Sequence, residues 1–260
     1  MQRTRDALLY CVPFLLILIA WQLFRTFEII PPWILPSPSE TAIAFGSLVL
    51  DGTMLRLVAT SAGHMIPAFV LSSITAIFVG LLVGLSSTWR KMLMPMLSVI
   101  YIVPTLAWLP LIVLFLGFTR SSIFVIVFLA TFPKVVYPAI AGVQSINRTW
   151  ILAGRNLGLT SFGVILKIVL PGALPYLVVG ARLGFGSAWR SLIGAEMLVA
   201  SLGGLGRFIW LAQWNYSFDR VLAGITVMII VGLVAEQWLF RRAEDWVNAR
   251  WNTVSGELAL

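Results

Sequence analysis

Residues 57–86 read LVATSAGHMIPAFVLSSITAIFVGLLVGLS, without one Asp, Glu, Lys or Arg in the run. A helix crossing the roughly 30 Å hydrocarbon layer needs about 20 mostly apolar residues, so this stretch is long enough for one tilted span. Outward from it the pattern recurs. Met92 to Leu116 is apolar but interrupted by Pro95, Pro104 and Pro110, and Ile123 to Ala141 is apolar with Lys134 near its end. Pro171 to Val199 and Val221 to Phe240 follow, and Leu8 to Phe24 precedes them all. The reading is an all-α integral membrane protein. It has a single transmembrane domain over 1–260 and six transmembrane helices, at 8–24, 57–86, 92–116, 123–141, 171–199 and 221–240.

Composition agrees. Of 260 residues 60% are hydrophobic and 11% charged, and the mean hydropathy is +0.97. Soluble domains carry about a quarter charged residues, so soluble, disordered and fibrous classes are excluded. The net charge of +8 fits the excess of Lys and Arg on the cytoplasmic side of a membrane protein. A nucleic-acid partner is not expected, because no basic cluster interleaves with polar surface helices. Cys11 is the one cysteine and allows no internal disulfide. The apolar run from Leu8 to Phe24 is longer than a signal-peptide core and no small-x-small site follows it, so it reads as a retained first span. The prolines at 31, 32, 36 and 38 predict an extended segment, and an amphipathic stretch then runs from Ser39 to about Leu50, on the membrane surface or packed on the bundle.

With the N-terminus inside, inner segments hold eleven Lys and Arg residues and outer segments five, with Arg182 and Arg190 inside the fifth span. That bias predicts cytoplasmic N- and C-termini. Trp33, Trp89, Trp210, Trp214, Trp238 and Trp246 suit interfacial positions. Gly80-x-x-x-Gly84 and Gly180-x-x-x-Gly184 permit close helix approach, read as packing within the chain.

Residues 148–171 read RTWILAGRNLGLTSFGVILKIVLP and are too polar for a span. Trp150 to Leu157 can form two helical turns, Gly158 a stop, and Pro171 a restart toward the membrane after a second short helix. A short rigid element of this kind suits a groove on a soluble partner. The stretch resembles the cytoplasmic loop of ABC importer permeases, written E-A-A-x-x-x-G, nine residues, I-x-L-P. Ala153 and Gly154 stand at the two alanines, Gly158 at the glycine, and Ile168, Leu170 and Pro171 at the closing positions. Leu152 stands where the pattern often has glutamate. Ile34 to Pro38, Val103 to Ala107 through Gly117, Phe132-Pro133, Ala141 to Val143 and Ala195 to Leu198 resemble permeases for sulfonates, taurine and nitrate.

The resemblance implies a type I importer bundle in a bacterial inner membrane, with a coupling helix within a cytoplasmic loop at 144–170. It implies a homodimer, two cytoplasmic ATPase subunits, a solute-binding protein and a small anionic solute. ATP and Mg would belong to the ATPase, with no cofactor in this chain. The sequence holds no G-x-x-x-x-G-K-[ST] loop, and His64 is the only histidine, so no metal or triad chemistry is expected.

Charges inside spans mark pathways or paired packing. Arg182 and Arg190 lie eight apart, near one helical face, and with Glu196 and His64 they are the pathway candidates. The packing alternative joins Arg190 to a carboxylate such as Glu196. Lys134 is expected to snorkel to the inner interface. A self-contained secondary transporter or channel is the rival reading, and a membrane enzyme is disfavoured by the lack of clustered catalytic residues.

Overall fold

The computed structural model describes residues 2–27, 31, 34–199 and 203–251, and every regular element among them is helical. Trp33, assigned above to an interface, and residues 200–202 lie outside the described residues. Helix α1 (Gln2–Thr26) covers the first expected span. The Trp21 indole N–H donates to the Pro36 carbonyl at 3.0 Å, which ties α1 to the start of α2 (Pro38–Leu50). Ser37 and Glu40 cap α2 reciprocally, as a Ser-x-x-Glu start allows. The Ser37 backbone N–H holds the Glu40 carboxyl below the usual carboxylate range. The amphipathic stretch therefore becomes a helix, and it packs against α11 (Phe218–Val234).

The bundle is organised around α6 (Arg120–Gln144), which lies between α3 (Thr53–Leu85) and α9 (Leu170–Leu198). Small residues set these approaches. A Cβ at Gly80 would meet that of Ala139 at 2.5 Å, and one at Gly84 would meet Val143 Cβ at 2.6 Å, so α3 and α6 run parallel. Gly180 faces Pro138 and Gly184 faces Val135, so α9 runs antiparallel to α6. Both glycine motifs thus pack within the chain. Residues 86–90, 145–160 and 241–251 gather at one pole. Residues 52, 117–119 and 203–217 gather at the opposite pole.

Among the described residues four helices are long and apolar enough to cross a membrane, or five if one bent pair counts as a single span. The expected third span is that pair: α4 (Ser87–Ile102) and α5 (Leu109–Leu116), the latter entered through a 3-10 turn, meet at 94°. Val103 is extended because the following Pro104 ring disfavours helix there, and Pro104 also lacks an N–H. The proline interruption expected within 92–116 thus takes the form of a sharp bend.

Two further boundaries differ. The sequence predicts a separate short helix before Pro171, but α8 (Ser161–Val164) runs through a π-helical turn at Ile165–Val169 directly into α9, giving 38 continuous residues. Proline removes one i→i−4 hydrogen bond and its ring collides with that carbonyl. A π turn just ahead of Pro171 accommodates both without ending the helix. The chain beyond the last expected span is helical as well: α11 continues through a π turn at Ala235–Phe240 into α12 (Arg241–Trp251).

Candidate functional site

Three features concentrate polar chemistry. The first is α7 (Arg148–Asn156) at the first pole. Asn147 caps it by accepting from the Thr149 N–H at 2.9 Å. Its C-terminus closes as a Schellman motif: the Gly158 N–H donates to the Arg155 carbonyl at 2.9 Å, and the Leu159 N–H to the Gly154 carbonyl at 3.0 Å. That geometry needs a left-handed residue, and Gly158 has φ +82°, which glycine adopts without a Cβ penalty. Gly154 is buried against the Ile168 side chain, so the loop folds back onto the start of the long helix. Thr160 then caps α8. What faces outward is Trp150, Leu152, Ala153, Leu157 and Phe162, with Leu157 84% exposed. Leu170 packs inward beside Ala173.

The second feature is a groove of about 1510 Å³ along one side of α9, facing α11 and α12. Pro171, Pro175, Val179, Gly186 and Met228 line it, together with Arg182 and Arg190. The two arginines expected on one face do share it. Among the described residues Arg190 forms no ion pair, whereas Arg182 meets Glu236 at 2.7 Å and Glu244 at 3.0 Å.

The third feature is buried. Glu196, at the end of α9, is 0% exposed. Its Oε1 accepts from His64 Nδ1 at 2.9 Å. Its Oε2 accepts from the Ser61 hydroxyl at 2.8 Å and the Gly206 N–H at 3.0 Å. The Ser61 oxygen accepts in turn from the Leu205 N–H at 2.8 Å. Leu205 and Gly206 open α10 (Leu205–Trp214), so the carboxylate and hydroxyl satisfy N–H groups that a helix start leaves without partners. Gly204, with φ +98°, leaves no room for a Cβ beside the Glu196 carboxylate. Glu196 therefore pairs with His64 and not with Arg190, and neither Glu196 nor His64 lines the groove. Lys134 stands 4.2 Å over the Tyr101 ring.

Ser61 and Glu244 were not singled out by the sequence. Intramembrane polarity flags Glu196, but nothing local pairs it with a hydroxyl 135 residues earlier.

Membrane-length helices thus carry a groove with two arginines, and one pole carries a capped helix–turn–helix with an exposed apolar face. Residues 73–243 match the family described as binding-protein-dependent transport system inner membrane component. The chain is 34% identical over 238 residues to the taurine transport system permease protein TauC of Escherichia coli (strain K12), across 88% of this chain and 86% of that one. It is 34% identical over 197 residues to the bicarbonate transport system permease protein CmpB of Synechococcus elongatus, across 74% and 70%. Its fold resembles a chain of the MetNI methionine ABC transporter, solved in inward-facing conformations. The TM-score is 0.58 at 18% identity, over 75% of this chain and 98% of that one. The chain belongs to the binding-protein-dependent inner membrane component family: it is a permease subunit of an ABC importer, not an enzyme. The reading as a self-contained secondary transporter or channel gives way.

Proposed function

We propose that two copies of this chain enclose the pathway of an importer that receives a small anionic solute from a binding protein. Two ATPase subunits, carrying ATP and Mg, dock on residues 144–170. The observation that carries this reading is the α7 element, whose capped ends and Gly154–Ile168 packing give it a fixed orientation relative to α9. Movement of an ATPase against its exposed face is then transmitted to the helix that lines the groove. In this reading α1 is the sixth span, and the first pole with both termini is cytoplasmic. Cysteine labelling in intact cells tests the orientation after Cys11 is replaced. A cysteine at Ser37 should react with an impermeant reagent and one at Ser145 should not; the reverse pattern inverts the topology.

Support for an anionic solute comes from Arg190 in the groove and from relatives named for taurine and bicarbonate, both of which carry an oxyanion. Arg190 is nineteen residues beyond Pro171, about 28 Å at 1.5 Å per residue, most of the way across the roughly 30 Å hydrocarbon layer, where an Arg needs a wet cavity or a partner. Arg190→Ala is expected to lower ATP-driven uptake about tenfold, the loss of roughly one charge-assisted hydrogen bond to the passing anion. Lys134→Ala, which loses a cation–π contact away from the groove, should leave uptake near normal. Equal uptake by the two variants at equal expression removes Arg190 from the pathway.

A further inference from the structure

Arg182 and its two carboxylates are left unused by the pathway just described. Arg182 Nη2 donates to Glu236 Oε1 at 2.7 Å, and Nη1 donates to Glu244 Oε2 at 3.0 Å and Oε1 at 3.3 Å. Arg182 belongs to α9, Glu236 to the π turn after α11, and Glu244 to α12, so the network staples α9 to the C-terminal helix. All three side chains line the groove, at the same end as Asn147 and Lys167 of the first pole. Arg182 is 38% exposed, Glu236 53% and Glu244 19%. Ion pairs this wet contribute about 0–1 kcal/mol and exchange partners readily.

Arg190 lies eight residues further along α9, about 12 Å deeper at 1.5 Å per residue. The groove thus holds one arginine outside any ion pair among the described residues, and one whose Nη1 and Nη2 already donate to the protein's own carboxylates. A guanidinium fork pairs bidentately with oxyanions that offer two oxygens on one side, as carboxylates and phosphates do, so a solute oxyanion competes with Glu236 and Glu244 for the same N–H groups. Arg241 lines the small recess beside this network together with Asp245, and offers the released carboxylates a second cation.

We propose that Arg182 is the inner anion-binding position of the groove, with Glu236 and Glu244 as built-in competitors. The solute's oxyanion, arriving from Arg190, replaces the carboxylates on Arg182; this tie between α12 and α9 is then released, and the first-pole mouth of the groove widens. The freed carboxylates repel the departing anion and recapture Arg182 once it has left. This rests on the anionic cargo proposed above and names the residues that control its exit.

The test uses the permease–ATPase complex in nanodiscs, in a Cys11→Ser background with nitroxide labels at Ser145→Cys and Asn248→Cys, two positions lining the groove from the loop and from α12. Pulsed EPR distances are recorded with methanesulfonate and with its neutral isostere dimethyl sulfone at matched ionic strength. Methanesulfonate should lengthen the distance and dimethyl sulfone should not. Glu236→Gln with Glu244→Gln should lengthen it without added anion, and Glu244→Gln alone should lower the half-maximal methanesulfonate concentration about two- to fivefold. Arg182→Gln should abolish the anion response, and Arg182→Lys, a milder variant, should weaken it. A distance indifferent to methanesulfonate, or a response that survives Arg182→Gln, overturns the proposal. ATP-driven uptake measured on the same complex separates the two readings. Lost uptake with an intact anion response counts against the importer cargo alone, and intact uptake without the response counts against the latch.

Discussion

Glu196→Ala is expected to destabilise the chain by about 3–5 kcal/mol, the range for removing one partner of a buried ionic or hydrogen-bonded pair. The side chain gathers three donors, from His64, Ser61 and Gly206, in a site closed to solvent. Truncation leaves all three without the acceptor, and a buried polar group without a partner costs more than the bond itself contributed. It also uncaps α10, because the Gly206 N–H has no helical partner of its own. The fall should appear as a lower Tm of the purified protein in detergent, with Glu196→Gln intermediate because its carbonyl still accepts one or two of these bonds. Unchanged Tm with abolished uptake would move Glu196 from the framework to the pathway.

Gly158→Val is expected to separate insertion from coupling. Valine at φ +82° carries roughly 1–3 kcal/mol of backbone strain, and the loop relieves it by abandoning the Schellman closure. The spanning helices are untouched, so expression and Tm should stay close to those of the parent. The orientation of α7 is lost, and ATPase retention in a pull-down, or solute moved per ATP, should fall about tenfold or more, each 1.4 kcal/mol being a factor of ten. Gly158→Ala, without the β-branch, should fall less. Normal retention with normal coupled uptake in the valine variant removes the loop from the docking interface.

The apolar runs were legible because each carries enough hydrophobic residues to be read alone, and the loop because its glycines and Ile168 stand at fixed spacing. Gly154 and Ile168, placed in one motif by spacing, touch in the structure. Continuity through Pro171 was not legible, since a proline that normally restarts a helix is accommodated by a π turn only when the flanking helices are held by packing. The bend near Pro104 was signalled by the proline, but its 94° angle is set by tertiary contacts. The partners of Glu196 and Arg182 were hidden for a simpler reason. They lie 132 and 54 residues away, and an intramembrane charge announces that it needs a partner without saying which.

Docking of an ATPase on the first pole is tested most directly by site-specific photocrosslinking in the assembled importer. A photoreactive residue at Leu152, exposed on α7, should capture the ATPase subunit, and one at Trp214, exposed at the opposite pole, should capture the binding protein or nothing. Capture of the ATPase from Trp214 and not from Leu152 would contradict both the docking element and the orientation of the chain.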